Sequence, residues 1–174
     1  MPDQTTPLVY RLFRTGAFAS DYYVAPDGSE TPVYAIKDPM RARILLEDVA
    51  TGQTLWERQS MGAFANTKKF VSAEYGALVK LKEKAFFSRT ARSFDYAGRM
   101  YEWRRTTWVN YHYECVCLDD GAIVADFKKI FWTLTYGRVT LYDAEEWPLG
   151  LKEFMILSAY YVVEEVRRRA KRSA

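Results

Sequence analysis

The chain has 174 residues, the size of one domain, and is 49% hydrophobic and 27% charged, which excludes a disordered or collagen-like chain. Its net charge of +3 hides segregation: residues 68–105 hold ten basic against four acidic side chains, and 167–172 hold five basic and no acidic ones. That distribution excludes a uniformly basic nucleic-acid coat, so no nucleic acid is expected, and it suits one anionic ligand site better.

Residues 1–7 are polar and carry no apolar core, so they read as a flexible lead-in, not a secretory signal. Short aromatic and β-branched runs follow at Leu8–Phe13, Pro32–Ile36, Ile44–Val49, Thr54–Glu57, Phe70–Ala73, Ala77–Lys82 and Lys84–Thr90. They continue at Phe94–Tyr96, Met100–Arg104, Tyr113–Leu118, Ala122–Phe127, Phe131–Leu134 and Arg138–Tyr142. Turn signals separate them, among them Pro26-Asp27-Gly28, Thr51-Gly52, Tyr75-Gly76, Ala97-Gly98 and Asp119-Asp120-Gly121. Several runs alternate: Val79 and Leu81 oppose Lys80 and Lys82, Tyr101 and Trp103 oppose Glu102 and Arg104, and Ile123, Ala125 and Phe127 oppose Val124, Asp126 and Lys128. Period two between tight turns predicts an antiparallel meander, and about a dozen strands predict a closed barrel or a sandwich.

Pro148, Leu149 and Gly150 end that pattern, and 151–172 contain no helix breaker. Phe154–Val163 is apolar all round, which requires a helix surrounded on every side. Ten apolar residues are about half of the ~20 that a spanning helix needs, so no transmembrane segment is expected. The economical arrangement is a closed antiparallel β-barrel of about twelve strands, wide enough to hold this C-terminal hydrophobic helix. The whole chain, 1–174, then forms a single domain with 167–174 as a basic tail.

The segments "YEWRR" (Tyr101, Trp103, Arg104), "ADFKKIFWTLTYGRVTLYDAEEW" (Ala125, Asp126, Lys128, Lys129, Gly137) and "LGLKEFMILSAYYVVEEVRRRAKR" (Ile156–Arg168) resemble the tubby C-terminal-like superfamily. That group includes tubby, LURP-one-related and phospholipid scramblase proteins, and the chain is most similar to its small fungal domains of unknown function. The resemblance covers residues 30–170 and implies a twelve-stranded barrel around a C-terminal helix, with phosphoinositide headgroups as one ligand class of the group. The scramblase cysteine cluster, its proline-rich N-terminus and an acidic Ca²⁺ loop are absent from this sequence.

Catalytic chemistry finds no constellation. His112 is the one histidine and reads as structural or exposed. Cys115 and Cys117 lack zinc-site spacing and read as buried strand cysteines, or as one inside and one near the surface, in a reducing compartment. Asp119 and Asp120 read as a hairpin turn. Asp143, Glu145 and Glu146 read as a solvated loop, or as anionic neighbours of the tail. Trp56, Trp108 and Trp132 fit either a core or a partner site. No enzyme activity, metal or cofactor is expected.

The predicted site is the basic stretch. Lys80, Lys82 and Lys84 share one strand face, with Arg89, Arg92, Arg104 and Arg105 on neighbouring segments. These seven are the expected anion or headgroup contacts, because Arg binds phosphate bidentately and Lys adds point charge; the alternative is a solvated barrel face, since exposed strands normally carry Lys and Arg. Arg167, Arg168, Arg169, Lys171 and Arg172 cap the helix end favourably and supply a secondary membrane or localisation signal. The expectation is a non-enzymatic, monomeric binding module for an anionic lipid headgroup or an acidic protein partner. It is expected to be cytoplasmic, at a membrane surface or nuclear. The alternative is a protein-interaction module, nuclear, with the tail as its address.

Overall fold

The computed structural model describes residues 6–16, 21–37, 43–59, 66–83, 91–107, 111–131 and 134–172. Twelve strands run in chain order: β1 (Leu8–Phe13), β2 (Tyr22–Pro26), β3 (Tyr34–Lys37), β4 (Leu45–Asp48), β5 (Thr54–Gln59) and β6 (Thr67–Ser72). They continue as β7 (Ala77–Glu83), β8 (Arg92–Tyr96), β9 (Arg99–Arg105), β10 (His112–Cys117), β11 (Ile123–Lys129) and β12 (Thr135–Leu141). A short 3₁₀ turn (Ala144–Glu146) leads to the helix α1 (Leu151–Arg172). Each strand pairs antiparallel with its chain neighbours, and β1 closes the barrel on β12. Closure leaves the sheet no edge to template aggregation.

The inward faces carry Tyr10 and Leu12, Trp56, Phe70, Val79 and Leu81, Phe94, Tyr101 and Trp103, Tyr113 and Cys115, Phe127, and Val139 and Leu141, all buried. They close on α1, which is buried continuously from Phe154 to Glu164. Phe154 meets Trp56, Phe70 and Phe94 at ring-centroid distances of 5.1, 5.5 and 5.0 Å. Such aromatic pairs contribute ~0.5–1.5 kcal/mol each beyond their area. Polar tethers fix the depth of the helix from several sides: Trp56 Nε1 donates to the Gly150 carbonyl (3.1 Å), Trp103 Nε1 to Ser158 Oγ (3.0 Å), and the Tyr34 hydroxyl to Glu153 Oε1 (2.9 Å). The helix is therefore enclosed, as its all-round apolarity requires.

Two glycines are dictated by space. A Cβ at Gly137 would overlap the Phe127 ring and lie 2.7 Å from the Lys128 carbonyl oxygen. Gly150 has φ 84° and sits against the Tyr75 ring, at the turn that feeds α1 into the barrel.

Three expectations need correction. Tyr22–Pro26 is a strand that the run of turn signals hid, because two tyrosines before Pro26 lack clean alternation. Phe131 and Leu134 belong to the connection between β11 and β12, not to a strand of their own. Ile123 is 47% exposed instead of sharing the inner face with Ala125, because Cys115 pairs Ala125 while Val116 pairs Ile123, a bulge that shifts the register. The run Lys84–Thr90 lies outside the described residues.

The barrel has two unlike ends. The connections after β2, β4, β6, β8 and β10, with the approach to α1, carry Asp27, Glu30, Asp48, Glu74, Asp119, Asp120, Asp143, Glu145 and Glu146. Short turns here use Gly52, Gly76, Gly98 and Gly121 at positive φ. The other end is the mouth where α1 emerges. Arg14, Arg58, Lys82, Arg92, Arg105, Lys128 and Lys129 stand there at or beside strand ends, with Arg167–Arg172.

Candidate functional site

Lys80 and Lys82 stand exposed on the outer face of β7, as the alternation requires. Lys69 on β6 lies directly opposite Lys80, and no carboxylate pairs with Lys69, Lys80 or Lys82 among the described residues. Like charges directly opposite across strands are destabilising. Lys84 and Arg89 lie outside the described residues.

The rest of the predicted cluster does not converge. Arg92 is in phase with the inward Phe94 and Tyr96 and is only 2% exposed. Its Nη2 reaches Glu165 Oε2 at 3.2 Å and Glu83 Oε1 at 3.5 Å, and its Nη1 donates to the Ala91 carbonyl at 3.0 Å. It ties the helix to the barrel wall, and its burial sets it apart from the exposed basic surface in which the sequence reading placed it. A basic residue beside a turn reads as surface in sequence, and its partner Glu165 is far along the chain. Arg104 faces outward, but its Nε donates to Glu102 Oε1 at 2.6 Å. The register carries Lys82 to Ser93 and Ser93 to Glu102, so a carboxylate stands where the cluster needed Arg104. Arg105 turns the other way, donating from Nε to the Thr107 carbonyl (2.9 Å) over the Tyr111 ring.

The basic tail is largely engaged as well. Arg167 and Arg168 pair with Glu164 at 3.2 and 3.7 Å. Arg169 holds Glu83 with two hydrogen bonds of 2.6 and 2.9 Å and reaches Glu165 at 2.9 Å. The Arg169 guanidinium, followed by Arg92, holds the Glu83 carboxyl below its usual range. The anionic neighbours of the tail are thus Glu83, Glu164 and Glu165. Asp143, Glu145 and Glu146 sit at the opposite end of the barrel.

The sequence reading missed a second basic surface. Register places His112 opposite Lys128, Lys128 opposite Arg138, and Arg138 opposite Arg11. These side chains share the outer face of β10, β11, β12 and β1, an almost unbroken cationic row on adjacent strands about 4.8 Å apart. Asp27 answers Arg138 at 3.6 Å and the Ser29 carbonyl answers Arg11 at 3.2 Å. Lys128 is exposed with no carboxylate partner among the described residues. The signal was present in the sequence as three separate cations and one histidine on four strands, and only the register joins them.

At the mouth end of this row lies a groove of about 450 Å³ lined by Thr107, Tyr111, His112, Lys128, Lys129, Ile130 and Phe131. Lys129 faces inward, its ammonium 4.2 Å from the Tyr136 ring centre and 5.6 Å from that of Phe131. Burial pulls its pKa down to about 8, and Arg167, Arg14 and Lys171 press in the same direction against the opposing pull of Glu164. His112 Nε2 is buried with no hydrogen-bond partner among the described residues. Phe131 and Leu134, in the connection between β11 and β12, are 42% and 56% exposed.

The remaining candidates resolve into structure. Cys115 and Cys117 are both buried and free, and burial pushes the Cys115 thiol well up. No cluster of metal-ligating side chains occurs among the described residues. Asp120 closes its turn by accepting from the Ala122 amide at 2.9 Å. Trp56 belongs to the core, whereas Trp108 and Trp132 lie outside the described residues. No described helix is long and apolar enough to cross a membrane.

The fold has a counterpart among solved structures. An X-ray structure of a protein from Arabidopsis thaliana superposes with a TM-score of 0.58 at 12% identity, covering 89% of this chain and 91% of that one. No family model and no curated protein matches the sequence.

Proposed function

We propose that this chain is a non-enzymatic module that binds anionic phospholipid headgroups at a membrane surface. The observation that carries the reading is the polarity of the barrel: acidic residues predominate in the turns at one end, and at the other mouth cations outnumber Asp21, Glu83, Glu164 and Glu165, leaving Lys82 and Lys128 without a carboxylate partner among the described residues. Such a body orients itself in the field of a negatively charged surface, and each Lys or Arg near anionic lipid contributes ~1 kcal/mol. The segments similar to the tubby C-terminal-like superfamily, for which phosphoinositide headgroups are one ligand class, support the same reading by analogy, and the likeness to the plant structure supports the fold alone. Lys69, Lys80 and Lys82 add a cationic row along the outer wall toward the mouth. The address reading is less favoured, because Arg167, Arg168 and Arg169 are held by carboxylates whereas a localisation segment must be free to be read.

Co-sedimentation tests the proposal with vesicles of phosphatidylcholine alone, with phosphatidylserine, and with phosphatidylinositol bisphosphate, at physiological salt. Pelleting with the acidic vesicles and not with the neutral ones is expected, weakening as salt rises. Equal pelleting with neutral vesicles, or none with any, overturns it.

A further inference from the structure

We infer that the membrane is met end-on by the β11–β12 hairpin, with a phospholipid phosphate in the groove between His112, Lys128 and Lys129 and with Phe131 and Leu134 entering the lipid interface. The inference rests on the preceding reading and adds to it a specific contact and orientation.

Two independent features of one hairpin meet here. The first is apolar. Phe131 and Leu134 expose large hydrophobic surface at the end of the barrel where charge gathers, although both are tied to an ordered base: the Lys129 amide donates to the Tyr111 carbonyl and the Ile130 amide to the Tyr136 carbonyl, each at 3.0 Å. Water pays such a tip nothing, while the headgroup–acyl boundary suits a Phe or Leu beside cations. The second is polar. The groove adjoining Phe131 is lined by His112, Lys128 and Lys129, with Lys128 exposed on the outer side and Lys129 turned inward, and its volume of about 450 Å³ is that of a small-ligand site. Burial and then Arg167, with Arg14 and Lys171, disfavour the charge on Lys129 against the opposing pull of Glu164, and an incoming phosphate would add to that pull. The row Lys128–Arg138–Arg11 continues from the groove down the outer wall, so neighbouring headgroups have further partners. Charge complementarity therefore selects an anionic bilayer as the occupant of this apolar tip.

An environment-sensitive label reads the orientation. Cys115 and Cys117 are fully buried, so a nitrobenzoxadiazole group on Leu134→Cys reports the hairpin, and one on Glu30→Cys reports the opposite end. With phosphatidylserine-containing vesicles the Leu134→Cys label is expected to brighten and shift to the blue, and the Glu30→Cys label to stay unchanged. Phe131→Ser with Leu134→Ser should weaken vesicle binding by about tenfold or more with an unchanged melting temperature. Lys128→Glu should weaken it similarly, and should abolish the shift that dihexanoyl-phosphatidylserine causes in the signal of the single histidine, His112. Glycerophosphoserine, the same headgroup without chains, should move that signal only at about tenfold higher concentration. Wild-type protein that binds vesicles with a silent Leu134→Cys label, or an apolar-tip variant that binds like wild type, overturns this inference alone. Wild-type protein that binds no acidic vesicle overturns it together with the reading on which it rests.

Discussion

The Tyr136 hydroxyl donates to Glu164 Oε1 at 2.6 Å, joining β12 to α1 just inside the mouth from which the helix emerges. The same carboxylate receives Arg167 and Arg168, so one buried acid both anchors the helix and neutralises the start of its cationic end. Burial, then Glu164, pushes the Tyr136 phenol well up. Tyr136→Phe removes a donor and leaves a buried acceptor short of one partner, an expected loss of ~1–3 kcal/mol in urea unfolding. An unchanged midpoint would show that the arginines alone satisfy Glu164.

Arg92 separates structure from binding. Arg92→Met removes the buried one of the two guanidiniums that Glu83 and Glu165 share, Arg169 remaining, and is expected to destabilise by ~1–3 kcal/mol. Where the variant still folds, its vesicle affinity should match wild type. Lost affinity at full stability would return Arg92 to the binding surface.

Lys80 is expected to behave in the opposite way. Charge reversal by Lys80→Glu places a carboxylate directly across from Lys69, turning a repulsive cross-strand pair into an attractive one. Thermal stability should hold or rise by ~0.2–1 kcal/mol while co-sedimentation with acidic vesicles weakens. A lowered melting temperature would mean that Lys80 has a structural partner.

How much of this was legible in the sequence follows from what each feature needs. The antiparallel strands were legible in local alternation such as Val79–Lys82, and all-round apolarity at Phe154–Val163, which needs a helix surrounded on every side, favoured a closed barrel over a sandwich. The inward turn of Arg92 was not, because strand phase at a first residue depends on Phe94 and Tyr96 two and four places later and on Glu165 far away. Register decides the rest. It sends Glu102, not Arg104, toward Lys82, and it gathers Arg11, Lys128 and Arg138 from three strands into one row that no local stretch of sequence displays.

Lys129 gives a pH dependence of definite sign. Its folded pKa of about 8 lies below the ordinary lysine value of 10.5, so above pH 8 the unfolded chain binds more protons than the folded one. Stability from this group therefore rises with pH between about 8 and 10. Lys129→Met should raise stability near pH 7 by ~1–2 kcal/mol, discounted for the exposed part of the side chain, and the gain should shrink toward pH 10. A gain that is flat with pH would place the repulsion elsewhere.

Above pH 10 the tyrosines take over with the reverse sign. Burial raises Tyr113 and Tyr161 to about 12, and Asp126 together with burial does the same for Tyr142. The folded state then keeps protons that the unfolded chain releases from pH 10 upward, so stability falls. Ultraviolet titration at the phenolate band should show these groups ionising only as the protein unfolds. Smooth ionisation of all tyrosines near pH 10 in the folded state would refute their burial.

The order of elements along the chain has a consequence for how the protein comes into being. All twelve strands are synthesised before α1, and β1 must wait for β12 to close the ring. Until Phe154 and its neighbours leave the ribosome, Trp56, Phe70 and Phe94 lack the ring against which each packs in the folded barrel. A nascent sheet in that condition is a substrate for chaperones and proteases. A message cut short before Leu151 would therefore yield no smaller version of this protein, only a hollow wall awaiting its post.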